Sequence, residues 1–286
     1  MLSGVEGRVG RSVETEVVAL AGDERSRKHD DLAAEEPLEI RLTAGGKTQR
    51  LAVTMRTPGN DFELACGFVY GEGIVASLDE IAEVTYCLDA SVDPEQRYNV
   101  VSIEVRSAKS LDLERFERHF TVNSSCGVCG RAQLDSLRER GLEPIADDVR
   151  IAARTLYALP EKMRSAQRVF SATGGLHAAA VFDERGEAVA VREDVGRHNA
   201  VDKVVGWGLL EGRLPFARRA LVVSGRASYE ILQKAVVARV PIVASVSAPS
   251  SLAVDLAREF HVTLAGFLRG DRANLYSMPE RIGAAS

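Results

Sequence analysis

The chain holds 286 residues, of which 45% are hydrophobic and 27% charged, a balance that excludes wholesale disorder, collagen-like repetition and a membrane bundle. Its 36 Lys and Arg residues against 41 Asp and Glu residues give a formal net charge of −5, which argues against a bulk nucleic-acid binder, since such proteins need a strongly basic face. One large or two modest domains fit this length. Four cysteines are too few for a disulfide scaffold. Cys66 and Cys87 lie in apolar or strand-like surroundings and are expected to be buried thiols, so the chemically unusual pair is Cys126 and Cys129.

The N-terminus lacks the basic start and apolar stretch of a signal peptide, because Glu6, Glu14 and Glu16 interrupt it. No apolar run approaches the roughly 18 residues that span a bilayer, so a cytoplasmic protein without a membrane partner is expected. Residues 1–36 show little periodicity and read as a flexible N-terminal tail. Residues 37–110 read as a small α+β domain. Leu38, Ile40 and Leu42 alternate, Ala44-Gly45-Gly46-Lys47 turns, and Leu51, Val53 and Met55 alternate again, which predicts a β-hairpin. Thr57-Pro58 reads as an N-cap with proline at the first helical position, and Phe62, Ala65, Cys66, Phe68 and Val69 supply the apolar face of the helix that follows. Two strands, 81–88 and 98–105, are expected on either side of a polar loop.

Residues 111–150 carry a short amphipathic stretch, the loop Ser124-Ser125-Cys126-Gly127-Val128-Cys129-Gly130, and a helix near 132–140. From 151 to 286 the chain alternates. Two helical stretches around 151–165 precede a strand hairpin, 176–182 and 188–191. Helices at 198–210, 228–239 and 250–260 then alternate with strands at 220–223, 242–246 and 262–267. This calls for an α/β fold with a parallel or mixed sheet covered on both faces.

In an open α/β sheet the ligand sits beyond the carboxyl ends of the strands, so the loops there can be read together. They are Arg192-Glu193-Asp194-Val195-Gly196-Arg197-His198-Asn199, Ser224-Gly225-Arg226-Ala227-Ser228, Ser247-Ala248-Pro249-Ser250-Ser251 and Leu268-Arg269-Gly270-Asp271-Arg272. Three run into a helix start, where free N–H groups and the helix dipole favour an anion. The small residues allow close approach, and five arginines offer forked bonds to phosphate. A phosphorylated, nucleotide-like ligand is the inference. Against it stands the plain reading that Ser, Gly and Pro cap helices and that the arginines pair with nearby carboxylates. His198 and His177 are each, taken alone, weak signals.

The Cys-x-x-Cys pair has several possible uses. A dithiol redox site needs a thiol of depressed pKa, often at a helix start. A persulfide carrier needs an exposed nucleophilic thiolate on a mobile loop. A purely structural pair is the bland reading. Zinc is the weak option, for no second Cys-x-x-Cys or His-x-x-x-His is present and the zinc-deaminase pattern is missing.

Four stretches carry a resemblance: Ser124 to Gly130, Thr173-Gly174-Gly175-Leu176-His177-Ala178-Ala179, Glu193 to Lys203, and Ser224 to Glu230. In this order and from about residue 36 to the end, the chain resembles the FdhD family of sulfur carriers that mature formate dehydrogenase. The resemblance implies a cytoplasmic homodimer with a cytidine-deaminase-like, three-layer α/β domain at 151–286. It implies that a cysteine desulfurase donates persulfide sulfur, which passes through Cys126 and Cys129 to the molybdenum of a bis-molybdopterin guanine dinucleotide (bis-MGD) cofactor before that cofactor enters formate dehydrogenase. Cys126 is the first choice for the persulfide, with Cys129 assisting or carrying sulfur in turn. By motif position, Phe267, Leu268, Arg269, Gly270, Asp271 and Arg272 match the family's cofactor-binding stretch. Asp194, Arg197, His198, Ser224, Gly225, Arg226 and Ser228 join them as candidate cofactor-binding residues, with Asp194 or Asp271 as a possible acceptor for guanine N–H groups. No intrinsic metal is expected. Two other functions stay open, a dithiol oxidoreductase and a non-enzymatic cofactor chaperone with structural cysteines.

Overall fold

A computed structural model describes residues 10–87, 97–106 and 137–283. The expected Cys126 and Cys129 loop, most of the helix near 132–140 and the polar loop after residue 87 lie outside the described residues, and of that helix only 137–139 are seen.

The N-terminal unit is a four-stranded sheet with one helix. β3 (Glu36–Ala44) and β4 (Lys47–Arg56) form the expected hairpin. Gly45 and Gly46 turn it at φ 56° and 76°, a conformation that favours glycine. β5 (Ile81–Tyr86) and β6 (Val100–Val105) complete the order β4-β3-β6-β5, with β6 parallel to β3. Leu38, Ile40, Leu42, Val101 and Ile103 bury one face against α1 (Asp61–Gly71). A bulge opposite Ile40 and Arg41 breaks the register, so Val53 and Met55, expected beside Leu51, are exposed. The helix also starts later than Thr57-Pro58 predicts. Asn60, at φ 59°, is its N-cap, because Thr57 is drawn into the interior by contacts described below.

The expected tail is corrected for residues 12–33. β1 (Ser12–Ala21) and β2 (Glu24–Ala33) pair antiparallel around Gly22-Asp23. The pair is held chiefly by backbone bonds, and β2 is polar from Glu24 to Asp31, so it offers no apolar period to detect.

The larger unit is a six-stranded sheet of order β13-β12-β11-β10-β8-β9. β8 (His177–Phe182), β9 (Ala188–Asp194), β10 (Ala220–Val223), β11 (Ile242–Ser245) and β12 (Thr263–Arg269) are near the expected positions. β13 (Arg272–Ser277) was not anticipated. The strands' alternation sends Val181, Leu221, Val223, Val243 and Leu264 to one face. There they meet α4 (Arg197–Leu210), α5 (Tyr229–Val237) and α6 (Ser251–Glu259). Ala180, Phe182, Val222, Ile242 and Leu268 face the other way, against α2 (Ala153–Ala166). Where two helical stretches were expected, α2 is one helix that continues through Pro160, and α3 (Arg168–Thr173) follows it. The result is a mixed α/β fold in which helices cover both faces of the large sheet.

The two units join through α1 and α4. A Cβ on Gly67 would lie 1.9 Å from the Asp202 carbonyl oxygen, and one on Gly206 would lie 1.8 Å from that of Glu63. Only glycine permits the helix backbones to come this close. Cys66 and Cys87 are buried free thiols, and burial beside Glu63 pushes the Cys66 thiol up to about 12, which leaves it chemically inert. No helix among the described residues is long and apolar enough to cross a membrane.

Candidate functional site

β10, β11 and β12 are parallel, and β8 is antiparallel to both β10 and β9. The carboxyl ends of β9, β10, β11 and β12 therefore share one edge of the sheet, as the grouping of the four loops required. His177, opposite Asp194 at the start of β8, lies on the same edge. The loops are stitched to one another. Ser250 N–H donates to the Ala227 carbonyl at 3.0 Å, Phe267 N–H to Ser247 at 3.0 Å, and the Ser245 hydroxyl to the Ser247 carbonyl at 2.6 Å.

The first loop divides into residues that hold the structure and residues that face the edge. Asp194, a candidate cofactor ligand in the sequence, is 0% exposed. Its Oδ1 accepts from Gly196 N–H at 2.8 Å and Asn199 Nδ2 at 3.0 Å, while its Oδ2 accepts from Thr57 N–H at 3.2 Å and lies 2.6 Å from Lys203 Nζ. With both oxygens engaged and no exposure, it is not placed to meet a guanine; it fixes the loop. Lys203 also donates to the Thr57 carbonyl at 2.9 Å, and the Thr57 hydroxyl accepts from Val195 N–H at 3.2 Å. The small domain thus buttresses the loop of the large one. Glu193 accepts the Val169 and Phe170 N–H groups at the start of α3, at 3.1 and 2.8 Å. Arg192 grips Glu63 of α1 through bonds of 2.5 and 2.7 Å, which commits one of the five arginines to the domain junction.

What remains at the edge is Gly196, Arg197 and His198, followed by the β10 loop. Gly196 and Ser228 cap α4 and α5 without a side-chain bond to the helix, whereas Ser250 accepts from Ala253 N–H at the start of α6. The first turns of α4 and α5 therefore keep N–H groups available to an anion. His198 Nε2 lies 3.2 Å from Ser228 Oγ and 2.7 Å from Glu230 Oε2, and this bond holds the Glu230 carboxyl below its ordinary pKa. Arg197 Nε is buried and has no hydrogen-bond partner among the described residues. A Cβ on Gly225 would sit 3.4 Å from His177 Nδ1 and 3.5 Å from Arg197 Cδ, so glycine leaves a cradle between these two side chains.

The fourth loop is a hairpin turn, not a helix approach. Gly270, at φ 56°, and Asp271 connect β12 to β13. Leu268 is fully buried on the α2 side, so its side chain is not available at this edge. Phe267, at φ 53° within a register shift, is 42% exposed. Arg269 donates to the Val246 carbonyl at 3.1 Å, and Asp271, Arg272 and Arg226 are exposed. Among the described residues no group of three or more His, Cys, Asp or Glu side chains is arranged to hold a metal ion.

The edge therefore gathers helix N–H groups and arginines around a glycine cradle, a chemistry that suits an anionic group. His177 is the residue the sequence reading left out of its site. Its signal was positional, for it opens a strand antiparallel to β9 and so starts where β9 ends.

The family model described as FdhD/NarQ matches residues 33–283. The chain belongs to the FdhD/NarQ family. It is 51% identical over 277 residues to a Streptomyces avermitilis protein named sulfur carrier protein FdhD, covering 96% of this chain and 97% of that one. A Sulfolobus acidocaldarius protein of the same name is 42% identical over 258 residues, covering 90% of this chain and 93% of its own. The crystal structure of a candidate formate dehydrogenase accessory protein from Desulfotalea psychrophila shares the fold, with a TM-score of 0.73 at 24% identity, covering 95% of this chain and 99% of that chain. The family match thus spans both structural units and ends at β14 (Ile282–Gly283), which pairs with β7 (Ile151–Ala152).

Proposed function

We propose that the protein is a sulfur carrier for formate dehydrogenase, taking persulfide sulfur from a cysteine desulfurase and passing it to the molybdenum of a bis-MGD cofactor before the cofactor is inserted. A thiolate of the Cys126 and Cys129 pair attacks the outer sulfur of the desulfurase persulfide. That S–S bond breaks, the desulfurase cysteine leaves as a thiolate, and the sulfur moves without a change in its oxidation level. Cys126 is assigned the persulfide, with Cys129 assisting or carrying it in turn. The names of the relatives support a carrier of sulfur.

The observation that carries the cargo side of this reading is the buried Arg197 Nε, without a partner among the described residues, beside the Gly225 cradle. A guanine dinucleotide brings pyrophosphate, which a guanidinium binds through paired charge-assisted bonds. The open N–H groups of α4 and α5 suit the same anion. The residues present fit that cargo, with Arg197, Gly225, Ser228 and the exposed Arg226 and Arg272 as its holders. The cofactor is substrate here, and the assembly partner is a second copy of the chain.

The test is restoration of formate dehydrogenase activity in cells lacking this protein. Cys126→Ala is expected to abolish restoration while leaving GDP binding intact. Full restoration by the double variant Cys126→Ala, Cys129→Ala would replace sulfur transfer with a cofactor chaperone, and turnover of a dithiol substrate without a guanine nucleotide would favour an oxidoreductase.

A further inference from the structure

His177 is absent from every role assigned so far, yet the Nδ1 and Cε1 edge of its ring borders the Gly225 cradle next to the Arg197 Cδ. Its Nδ1 lies 3.5 Å from Ser224 Oγ. That hydroxyl already accepts the Ala178 N–H at 2.9 Å. Donating its own proton to Nδ1 satisfies the hydroxyl in both directions, whereas the opposite tautomer leaves that proton without an acceptor among the described residues. A neutral imidazole that accepts at Nδ1 carries its single proton on Nε2. The described residues offer Nε2 no partner.

The surroundings keep the ring neutral. Partial burial pushes the His177 pKa down, and the Arg197 guanidinium and His198 push the same way, against a weaker opposing pull from Asp194. A neutral N–H donor thus stands within electrostatic reach of a guanidinium whose Nε has no partner among the described residues, and Gly225 leaves the Nδ1 and Cε1 edge of the ring and the Arg197 Cδ uncovered.

We propose that His177 is a ligand-contacting, specificity-determining residue of this site: as the Nε2–H tautomer fixed by Ser224, it joins Arg197 in holding one phosphate oxygen of the nucleotide end of the cargo. The proposal rests on the cargo-binding reading above. Its chemistry selects a phosphate-bearing ligand, because a neutral N–H and a guanidinium together match an anionic oxygen better than either matches a guanine N–H.

The probe is GDP, measured by calorimetry on the full chain, with melting temperature as the control for folding. A glutamine amide places its N–H close to the imidazole Nε2, and an asparagine amide places it near Nδ1. His177→Gln is therefore expected to bind GDP within about threefold of the unaltered protein, while His177→Ala and His177→Asn weaken it by about ten- to a hundredfold, the loss of one hydrogen bond to a charged acceptor. Nitrogen-15 NMR is expected to show the Nε2–H tautomer in the unaltered protein. Unchanged binding by His177→Ala, a glutamine variant as weak as alanine, or an Nδ1–H tautomer overturns the role of His177 while Arg197→Ala still weakens GDP. No GDP binding by the unaltered protein, or none lost in Arg197→Ala, overturns the cargo-binding reading itself and this proposal with it.

Discussion

The contact between α1 and α4 can be tested by adding a single methyl group. In Gly206→Ala the new Cβ would stand 1.8 Å from the Glu63 carbonyl oxygen and 2.7 Å from Gly67 N. A carbon and a carbonyl oxygen ordinarily approach to about 3.3 Å, so the helices must separate locally by about 1.5 Å. Both obstructions are backbone, and no rotamer change relieves them. Overpacking of this kind costs about 1–3 kcal/mol, and rigid obstruction places it near the upper end. Alanine in a helix returns about 0.8–1.0 kcal/mol relative to glycine, which leaves a net loss of about 2 kcal/mol. For a chain of 286 residues that is a drop of about 3–4 °C in melting temperature, read by circular dichroism or calorimetry. Gly67→Ala, 1.9 Å from the Asp202 carbonyl oxygen, is expected to behave alike. The double variant should lose less than the sum, since both methyls part the same helices. A Gly206→Ala protein that melts within about 1 °C of the parent, or above it, would refute the close-contact argument.

Lys203→Met leaves the buried Asp194 carboxylate without its cation, and a cost of about 3–5 kcal/mol is expected; the further change Asp194→Asn should recover much of it, as denaturant titration will show. Gly225→Ala meets only ordinary contacts at 3.4–3.5 Å, so its melting temperature should hold while GDP binding weakens about tenfold, a change of roughly 1.4 kcal/mol; equal affinity would move the ligand elsewhere. Burial pushes Asp202 up to about 6, with Lys234 opposing. The folded chain therefore binds this proton more tightly than the unfolded chain, and the associated stability is present below about pH 4 and lost as pH rises through about 6. The melting-temperature difference between the parent and Asp202→Asn should fall across that window, and a rise would contradict the assignment.

Much of the fold was legible because its periods are strong. The β3 and β4 hairpin carries alternation on both sides of a double glycine, and the strand-helix order after residue 176 repeats a pattern that a covered sheet requires. β13 was hidden because bulges in its pairing with β12 break the alternation, and β1 with β2 because backbone pairing needs no apolar face. At the site, proximity to one sheet edge was legible, and individual roles were not. Asp194 looked like a ligand because a loop carboxylate near arginines is usually exposed. The contrary sign was Lys203, a charge set among Ala200, Val201, Val204 and Val205, which only a buried partner can justify. Likewise Gly67 and Gly206, each inside a helical stretch, signalled close helix approach.

Sulfur transfer through Cys126 and Cys129 is tested by incubating the protein with a cysteine desulfurase and cysteine and mapping its peptides by mass spectrometry. The expected result is the added mass of one sulfur atom on the peptide that contains this pair, lost from the first position in Cys126→Ala. A Cys126→Ala protein that still takes up sulfur and restores formate dehydrogenase would overturn the choice of Cys126, and no added sulfur on either cysteine would contradict a sulfur-carrier role.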